Sequence, residues 1–269
     1  MEVTQGYLFI TLGRKYIDEC NLLVHTIRKN GDTRPVSLLI NPEDEEYARS
    51  FECYDQFAHF TPNDKVWGDC HTAFEKYCLY PRLKFPEYLV YDETIITDTD
   101  MLCQYNTEHV WSYMSNQSHP IKMLGRWIDP SWHWGSINDV IRAYGKHVPH
   151  THGGFFYLRK NTFLKTFFDY CEEVFYKYDE YKCKRAFRGG KVDEIIFAIA
   201  HSKFNLLPMQ FDEFPVMSFN YTPNMEIPNK MQTADGQNIM LNGYPSFVHM
   251  FDKMDGENFK SLYSRIMNG

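Results

Sequence analysis

No apolar run reaches the roughly 18 residues that a membrane-spanning helix needs, so the chain offers no transmembrane segment. The opening Met1-Glu2-Val3-Thr4-Gln5-Gly6 has neither a basic stretch nor a long apolar one, so it does not read as a secretory signal. No Cys-x-x-Cys pair occurs among the seven cysteines (Cys20, Cys53, Cys70, Cys78, Cys103, Cys171, Cys183), and their number is odd. They read as reduced thiols of a cytoplasmic protein. The sequons Asn116-Gln117-Ser118 and Asn220-Tyr221-Thr222 are then chance matches. Basic residues are also in deficit, with 28 Lys+Arg against 35 Asp+Glu for a net charge of −7. That excludes an unassisted nucleic-acid binder and requires any phosphate-bearing ligand to be offset locally, for instance by a metal. Repeats, low-complexity tracts and Pro/Gly/Ser linkers are lacking too, which leaves one continuous domain over 1–269.

What is present is a globular composition. The 269 residues are 43% hydrophobic and 23% charged, enough for a substantial core, and aromatics reach 17%. The first half alternates apolar runs with segments of helical spacing. Tyr7–Thr11 reads as a buried strand ending at Gly13, and 15–29 as a helix with apolar positions Tyr16, Cys20, Leu23 and Ile27. Val36–Ile40 and Phe57–Phe60 read as strands, and 69–80 as a single helix. Between them Glu43-Asp44-Glu45-Glu46 suits a helix start. The β-branched Thr94–Thr97 is the next strand, 107–115 a helix, and Lys122–Leu124 a strand. This rhythm predicts an α/β fold: an open, mostly parallel sheet flanked by helices. After residue 150 come a strand at Gly153–Leu158, a long aromatic helix near 161–180, a helix over 192–202 and a terminal helix near 256–267.

The sharpest motif is Thr97-Asp98-Thr99-Asp100, directly behind the Thr94–Thr97 strand. Open α/β sheets bind ligands beyond the carboxyl ends of their strands. Two Asp separated by one residue can both approach one hard cation, which can bridge them to a diphosphate. A polar turn ending a strand is the plainer reading of the same triplet. Its position, between four β-branched residues and the apolar Met101-Leu102, favours the functional one.

The stretch Glu93–Leu102 resembles the strand and Asp-x-Asp segment of GT-A glycosyltransferases of the glycogenin and bacterial galactosyltransferase type. Thr151–Leu158 resembles that family's Asn-Ser-Gly strand, Gly189–Glu194 its Asp-Gln stretch opening a later helix, and Phe247–Phe251 its C-terminal strand bearing a histidine metal ligand. Tyr7–Gly13 resembles the nucleotide-binding start. The resemblance implies a single GT-A domain with a nucleotide-binding half at 1–103 and an acceptor-side half at 104–269. It implies transfer of a sugar from a nucleotide-diphosphate sugar, UDP by preference, to a saccharide or other hydroxyl acceptor. Asp98, Asp100 and His249 would hold a metal. Thr11, Leu12 and Gly13 would lie beside the base, Asp98 would meet the ribose or the metal, and Thr99 would join the donor-binding residues. Asp193 would sit near sugar and acceptor. Two carboxylates and one imidazole suit Mn²⁺ over Mg²⁺.

The match departs in places. The Asn-Ser-Gly position is held by His152-Gly153-Gly154, and Glu194 follows Asp193 where the family has Gln. The family's glycine and lysine after the histidine are Asp252 and Asp255 here, while Lys253 comes earlier as a candidate phosphate contact. Asp193 or Glu194 would be the base of an inverting enzyme; in a retaining one, which the resemblance favours, the leaving phosphate takes the proton.

Other residues admit two readings. Arg82 and Lys84 are phosphate ligands or loop charges. His150 and His152 read as a polar wall over the donor sugar, and Gly153-Gly154 as a close backbone approach to ligand or packing. His147, His150 and His152 lack a Cys or acidic partner at ligand spacing, which argues against zinc. Trp127, Trp132 and Trp134 form sugar-stacking faces or a buried anchor. Lys182, Lys184, Arg185, Arg188 and Lys191 form a flap over a diphosphate or a solvated loop. The helix bearing Phe163, Phe167, Phe168, Tyr170, Phe175 and Tyr176 reads as core. A sugar-phosphate nucleotidyltransferase is a rival, but Thr11-Leu12-Gly13-Arg14-Lys15 has only one glycine where such enzymes have several. A carbohydrate-binding module is another, and it would leave the Asp-x-Asp and His249 idle.

Overall fold

The computed structural model describes residues 3–62, 64–127, 137–186, 189–210, 216–220, 230–232, 238–240, 245–250 and 254–269. Strand β1 (Gln5–Thr11) turns through Gly13 into helix α1 (Arg14–Lys29), followed by β2 (Val36–Ile40), α2 (Glu45–Arg49) and β3 (Gln56–His59). Then come α3 (Asp64–Asp69), a π-turn at Glu75–Leu79, α4 (Tyr80–Leu83), α5 (Phe85–Tyr88), β4 (Glu93–Thr97) and β5 (Met101–Cys103). The second half runs α6 (Glu108–Ser115), β6 (Ile121–Arg126), α7 (Ile137–Tyr144), β7 (His150–Arg159), α8 (Thr162–Tyr176) and α9 (Asp193–Lys203). It ends with β8 (Met209–Gln210), β9 (Met217–Asn220), β10 (Lys230–Gln232), β11 (Asn238–Met240), β12 (Phe247–Met250) and α10 (Glu257–Asn268).

The central sheet has the order β3-β2-β1-β4-β7-β6-β8. It is parallel except at β7, which runs antiparallel to both β4 and β6. Its strands are apolar on both faces, as helices on both sides require. Leu8, Ile96, Phe156 and Leu158 point into one core with α8 and α9, while Tyr7, Phe9, Ile95, Phe155 and Tyr157 point into the other with α1 and α6. A second sheet, β5-β12-β9, stands beyond the carboxyl end of β4 and brings the C-terminal segment to that edge.

The single helix expected over 69–80 is broken. Thr72 and Glu75 form a reciprocal capping box, with Glu75 N donating to Thr72 Oγ1 (3.1 Å) and Thr72 N to Glu75 Oε2 (3.2 Å), so a new helical run starts there. It carries on through α4, which puts Arg82 on a buried helix and not in a loop. Phe167, Phe168 and Phe175 of α8 are core as expected, but Tyr176 is exposed and Tyr170 only half-buried.

Candidate active site

Asp98 and Asp100 leave the carboxyl end of β4, where Asp98 N donates to Gly154 O (3.3 Å) of neighbouring β7. The chain then enters β5, which pairs with β12 in the register His249↔Met101. Met250 N donates to Asp100 O (2.8 Å), so β12 is stitched directly to the acidic loop. His249 Nε2 thereby comes to 3.1 Å from Asp100 Oδ1 and 3.9 Å from Asp98 Oδ2. One ligand atom from each of Asp98, Asp100 and His249 lies within 4.8 Å of the others.

Arg82 ties this cluster to a second one. Its Nη2 binds Asp98 Oδ1, its Nη1 binds Asp193 Oδ2, and Nη1 also donates to Gly153 O at 2.9 Å. Burying a guanidinium is costly, and two carboxylates and a carbonyl offset that cost. Gly153 is glycine for a steric reason: a Cβ there would stand 2.6 Å from Asp193 Oδ2 and 2.7 Å from Arg82 Nη1. Glu194, next on α9, accepts from Gly153 N at 3.3 Å, and its backbone oxygen accepts from Thr151 Oγ1 at 2.7 Å. Gly154 N donates to His152 Nδ1 (3.0 Å), so a neutral His152 carries its proton on Nε2, which faces Glu194 Oε1 at 3.7 Å. The rings of His152 and His249 meet edge to face at 5.9 Å.

Two buried acids support these groups, and neither was singled out from sequence. Glu19, on the apolar face of α1, accepts from Thr99 Oγ1 at 3.2 Å and so holds the middle of the acidic loop. Glu75 Oε1 accepts from Lys191 N at 2.8 Å, two residues before Asp193. Buried carboxylates on otherwise apolar helix faces were the available signal.

The site is electrostatically lopsided. Asp98, Asp100, Asp193 and Glu194 face one guanidinium and two imidazoles. Burial raises the Asp98 carboxyl above its ordinary pKa, and Asp100 adds to that, against the pull of Arg82. Burial would lower His249, but Asp100 outweighs it and the imidazole is held above its ordinary value. The chemistry of the donor set, two carboxylates and an imidazole with an excess of negative charge, fits a divalent cation.

Thr11, Leu12 and Gly13 lie at the same edge. The parallel register Leu8↔Ile96 carries Thr11 out to the level of the acidic loop, and Gly13 turns the chain into α1 at φ 128°, which favours glycine. Lys84 is not gathered with the site: its Nζ pairs with Glu172 (2.7 Å) on α8. Of the basic segment, Arg185 is committed to Asp179 (2.7 Å), and the buried Lys191 stands over the Phe175 ring at 3.6 Å. Those two contacts are structural, so neither residue belongs to a free flap. Lys253, Arg188, Trp132 and Trp134 lie outside the described residues.

No protein-family model and no curated protein matches the sequence. Solved structures do match the fold. Mouse xyloside xylosyltransferase 1 superposes with a TM-score of 0.60 over 92% of this chain and 97% of its own, at 10% identity. The galactosyltransferase LgtC, solved with donor and acceptor sugar analogs, gives 0.60 over 97% and 95%, at 11% identity. The bifunctional glycosyltransferase WbbM gives 0.62 over 99% of this chain at 11% identity, the chain spanning 50% of its length. The fold is GT-A. In GT-A terms the acidic loop, Arg82 and the start of α9 all stand at the carboxyl edge of the sheet, where such folds bind ligands. Among the described residues, no helix is long and apolar enough to cross a membrane.

Proposed function

We propose that this protein is a metal-dependent glycosyltransferase that moves a sugar from a nucleotide-diphosphate sugar, by preference a UDP-sugar, to a hydroxyl acceptor with retention. The observation that carries the reading is the convergence of Asp98, Asp100 and His249 at the carboxyl edge of a GT-A sheet. Residues 1–103 would form the nucleotide-binding half, with Thr11, Leu12 and Gly13 beside the base, and 104–269 the acceptor side.

Asp98, Asp100 and His249 would hold the cation, Mn²⁺ in preference to Mg²⁺ because of the imidazole. When bound, such an ion supplies Lewis-acid stabilisation to a leaving diphosphate. The chain's own groups do the rest. Arg82 holds the carboxyl groups of Asp98 and Asp193 fixed relative to one another. Asp193 then offers a buried negative charge to the electron-poor carbon of the sugar during transfer. Glu194 and the Nε2–H of His152 offer an acceptor and a donor to sugar hydroxyls. Arg82 is the basic side chain that Asp98 and Asp193 share, and acidic groups outnumber it there, so a cation would be the main counter-charge.

A thermal-shift series with UDP, GDP, CMP and ADP, each with Mn²⁺, Mg²⁺ or EDTA, tests this. Ligand at about 100 times its dissociation constant adds about 2.7 kcal/mol, a shift of several degrees for a domain of this size. The expected result is a shift with one nucleoside diphosphate that needs Mn²⁺ and is lost in Asp100→Ala. No shift with any nucleotide would overturn the reading.

A further inference from the structure

Helix α9 opens on Val192, an apolar residue that cannot cap it, so whatever holds the start of this helix comes from elsewhere. The chain that enters it is bonded at four residues in a row. Gly189 O accepts from Arg185 Nη1 (3.1 Å), and Gly190 O from Ala186 N (2.8 Å). Lys191 N donates to Glu75 Oε1 (2.8 Å). Val192 N donates to the Tyr178 hydroxyl (3.0 Å), which donates in turn to Lys184 O (2.7 Å). Asp193 is the next residue. The 189–192 segment is therefore a strut on which the first turn of α9 rests.

Glu75 and Tyr178, which take the last two amides, are both buried. A buried carboxyl needs hydrogen-bond partners, and Glu75 finds them on two elements at once. Its Oε2 accepts from His71 N and Thr72 N, where the helical run that leads to Arg82 begins. Its Oε1 takes Lys191 N. Arg82 stands seven residues after Glu75, and Asp193 two residues after Lys191. Those two side chains then meet, Arg82 Nη1 on Asp193 Oδ2. The same pair of elements is thus tied twice, and two ties fix a placement that one would leave free to pivot. Tyr178, just behind α8, adds a third. A helix cap alone would use Oε2 and the Thr72 hydroxyl, and gives no reason for Oε1 to face Lys191.

We propose that Glu75 and Tyr178 are positioning residues for the transfer reaction: through the Lys191 and Val192 amides they set where the Asp193 carboxylate stands relative to Arg82 and the reacting sugar. The catalytic part rests on the transferase reading; the strut rests on its hydrogen bonds alone. A misplacement of about 1 Å can cost about 100-fold in rate. Asp98, Asp100 and His249 belong to other segments, so a slackened strut shows in turnover and not in donor binding.

Three variants test this. Glu75→Gln keeps the shape, but its one oxygen cannot serve both sides. With two donors at His71 and Thr72 against one at Lys191, its NH2 is left facing Lys191 N. Tyr178→Phe keeps the ring and removes the acceptor of Val192 N. Thr72→Val removes the hydroxyl that caps the Arg82 run and leaves the strut intact. Each is compared with wild type in amide hydrogen exchange, and in Mn²⁺-dependent release of UDP from UDP-glucose, UDP-galactose, UDP-xylose and UDP-N-acetylglucosamine.

Glu75→Gln and Tyr178→Phe should exchange about tenfold faster over 191–195, with the Glu93–Thr97 strand unchanged. Their kcat should fall about tenfold or more while KM stays within about twofold. Thr72→Val should keep wild-type exchange over 191–195 and wild-type kcat. Wild-type exchange there, or wild-type kcat, in either strut variant overturns the proposal. So does an equal loss of kcat in Thr72→Val, which would assign the effect to helix capping. Failure of the transferase reading looks different: wild type releases no UDP from any donor. That removes the catalytic role, while the exchange data still show whether the strut exists.

Discussion

Thr99 Oγ1 lies 3.2 Å from Glu19 Oε2, so the residue between the two aspartates is anchored to a buried acid on the first helix. Thr99→Val removes that donor and leaves the carboxylate buried with less to bind. It should cost about 1–3 kcal/mol in a urea melt and weaken Mn²⁺ binding several-fold. Glu19→Gln keeps an acceptor there and should be milder. A Thr99→Val protein with the parent's stability and metal affinity would show that the loop holds its shape without the contact.

Arg82 binds Asp98 and Asp193 together. Arg82→Met would strand two carboxylates that share one buried cation, a loss of about 3–5 kcal/mol for a broken buried pair. Arg82→Lys keeps the charge but lacks the fork that reaches both partners, so it should fold better and still turn over donor poorly. Equal donor hydrolysis by Arg82→Lys and wild type would mean that the bridge itself is dispensable.

Gly153→Ala probes the same junction from the backbone. The new Cβ would press on Asp193 Oδ2 and Arg82 Nη1, and both would have to move. Donor turnover should fall at least about tenfold while nucleotide binding, read by thermal shift, changes little. A Gly153→Ala enzyme with normal kcat would place the reacting atoms away from Asp193.

His201 gives a pH signature of stability that is independent of the site. Burial lowers its pKa to about 4, while its Nδ1 stays 2.8 Å from Phe197 O. The unfolded chain takes up this proton near pH 6.5. Folded protein resists protonation down to about pH 4, so stability falls between those values as pH drops. The loss is on the order of 3 kcal/mol by pH 4. A Gln at this position cannot titrate, so melting of His201→Gln should depend less on pH across that window; an unchanged profile would assign the acid sensitivity to other groups.

The central strands were readable as short apolar runs, β-branched in Val36–Ile40 and Thr94–Thr97, and the mostly parallel order follows from the alternation with helices. The Asp98–Asp100 loop was readable from its place behind such a strand. The helical, buried setting of Arg82 is not visible in a sequence window, because Thr72 and Glu75 start a new helix that carries Arg82 inward. Glu19 and Glu75 escaped notice because a lone acid on an amphipathic helix is usually solvated; its partners, Thr99 and Lys191, are 80 and 116 residues away. Lys84, a phosphate ligand or a loop charge by sequence, pairs with Glu172 of α8, 88 residues away, which no local window shows.

The hydrogen bond from Met250 N to Asp100 O makes the acidic loop and the C-terminal strand one mechanical unit. In synthesis Asp98 and Asp100 emerge about 150 residues ahead of their imidazole partner. A ribosome-bound chain that stops short of His249 carries the acidic loop without its imidazole. Retention on an ion that all three groups hold would thus report completion of folding, and stripping that ion would loosen β5, β12 and β9 before it touched the central sheet.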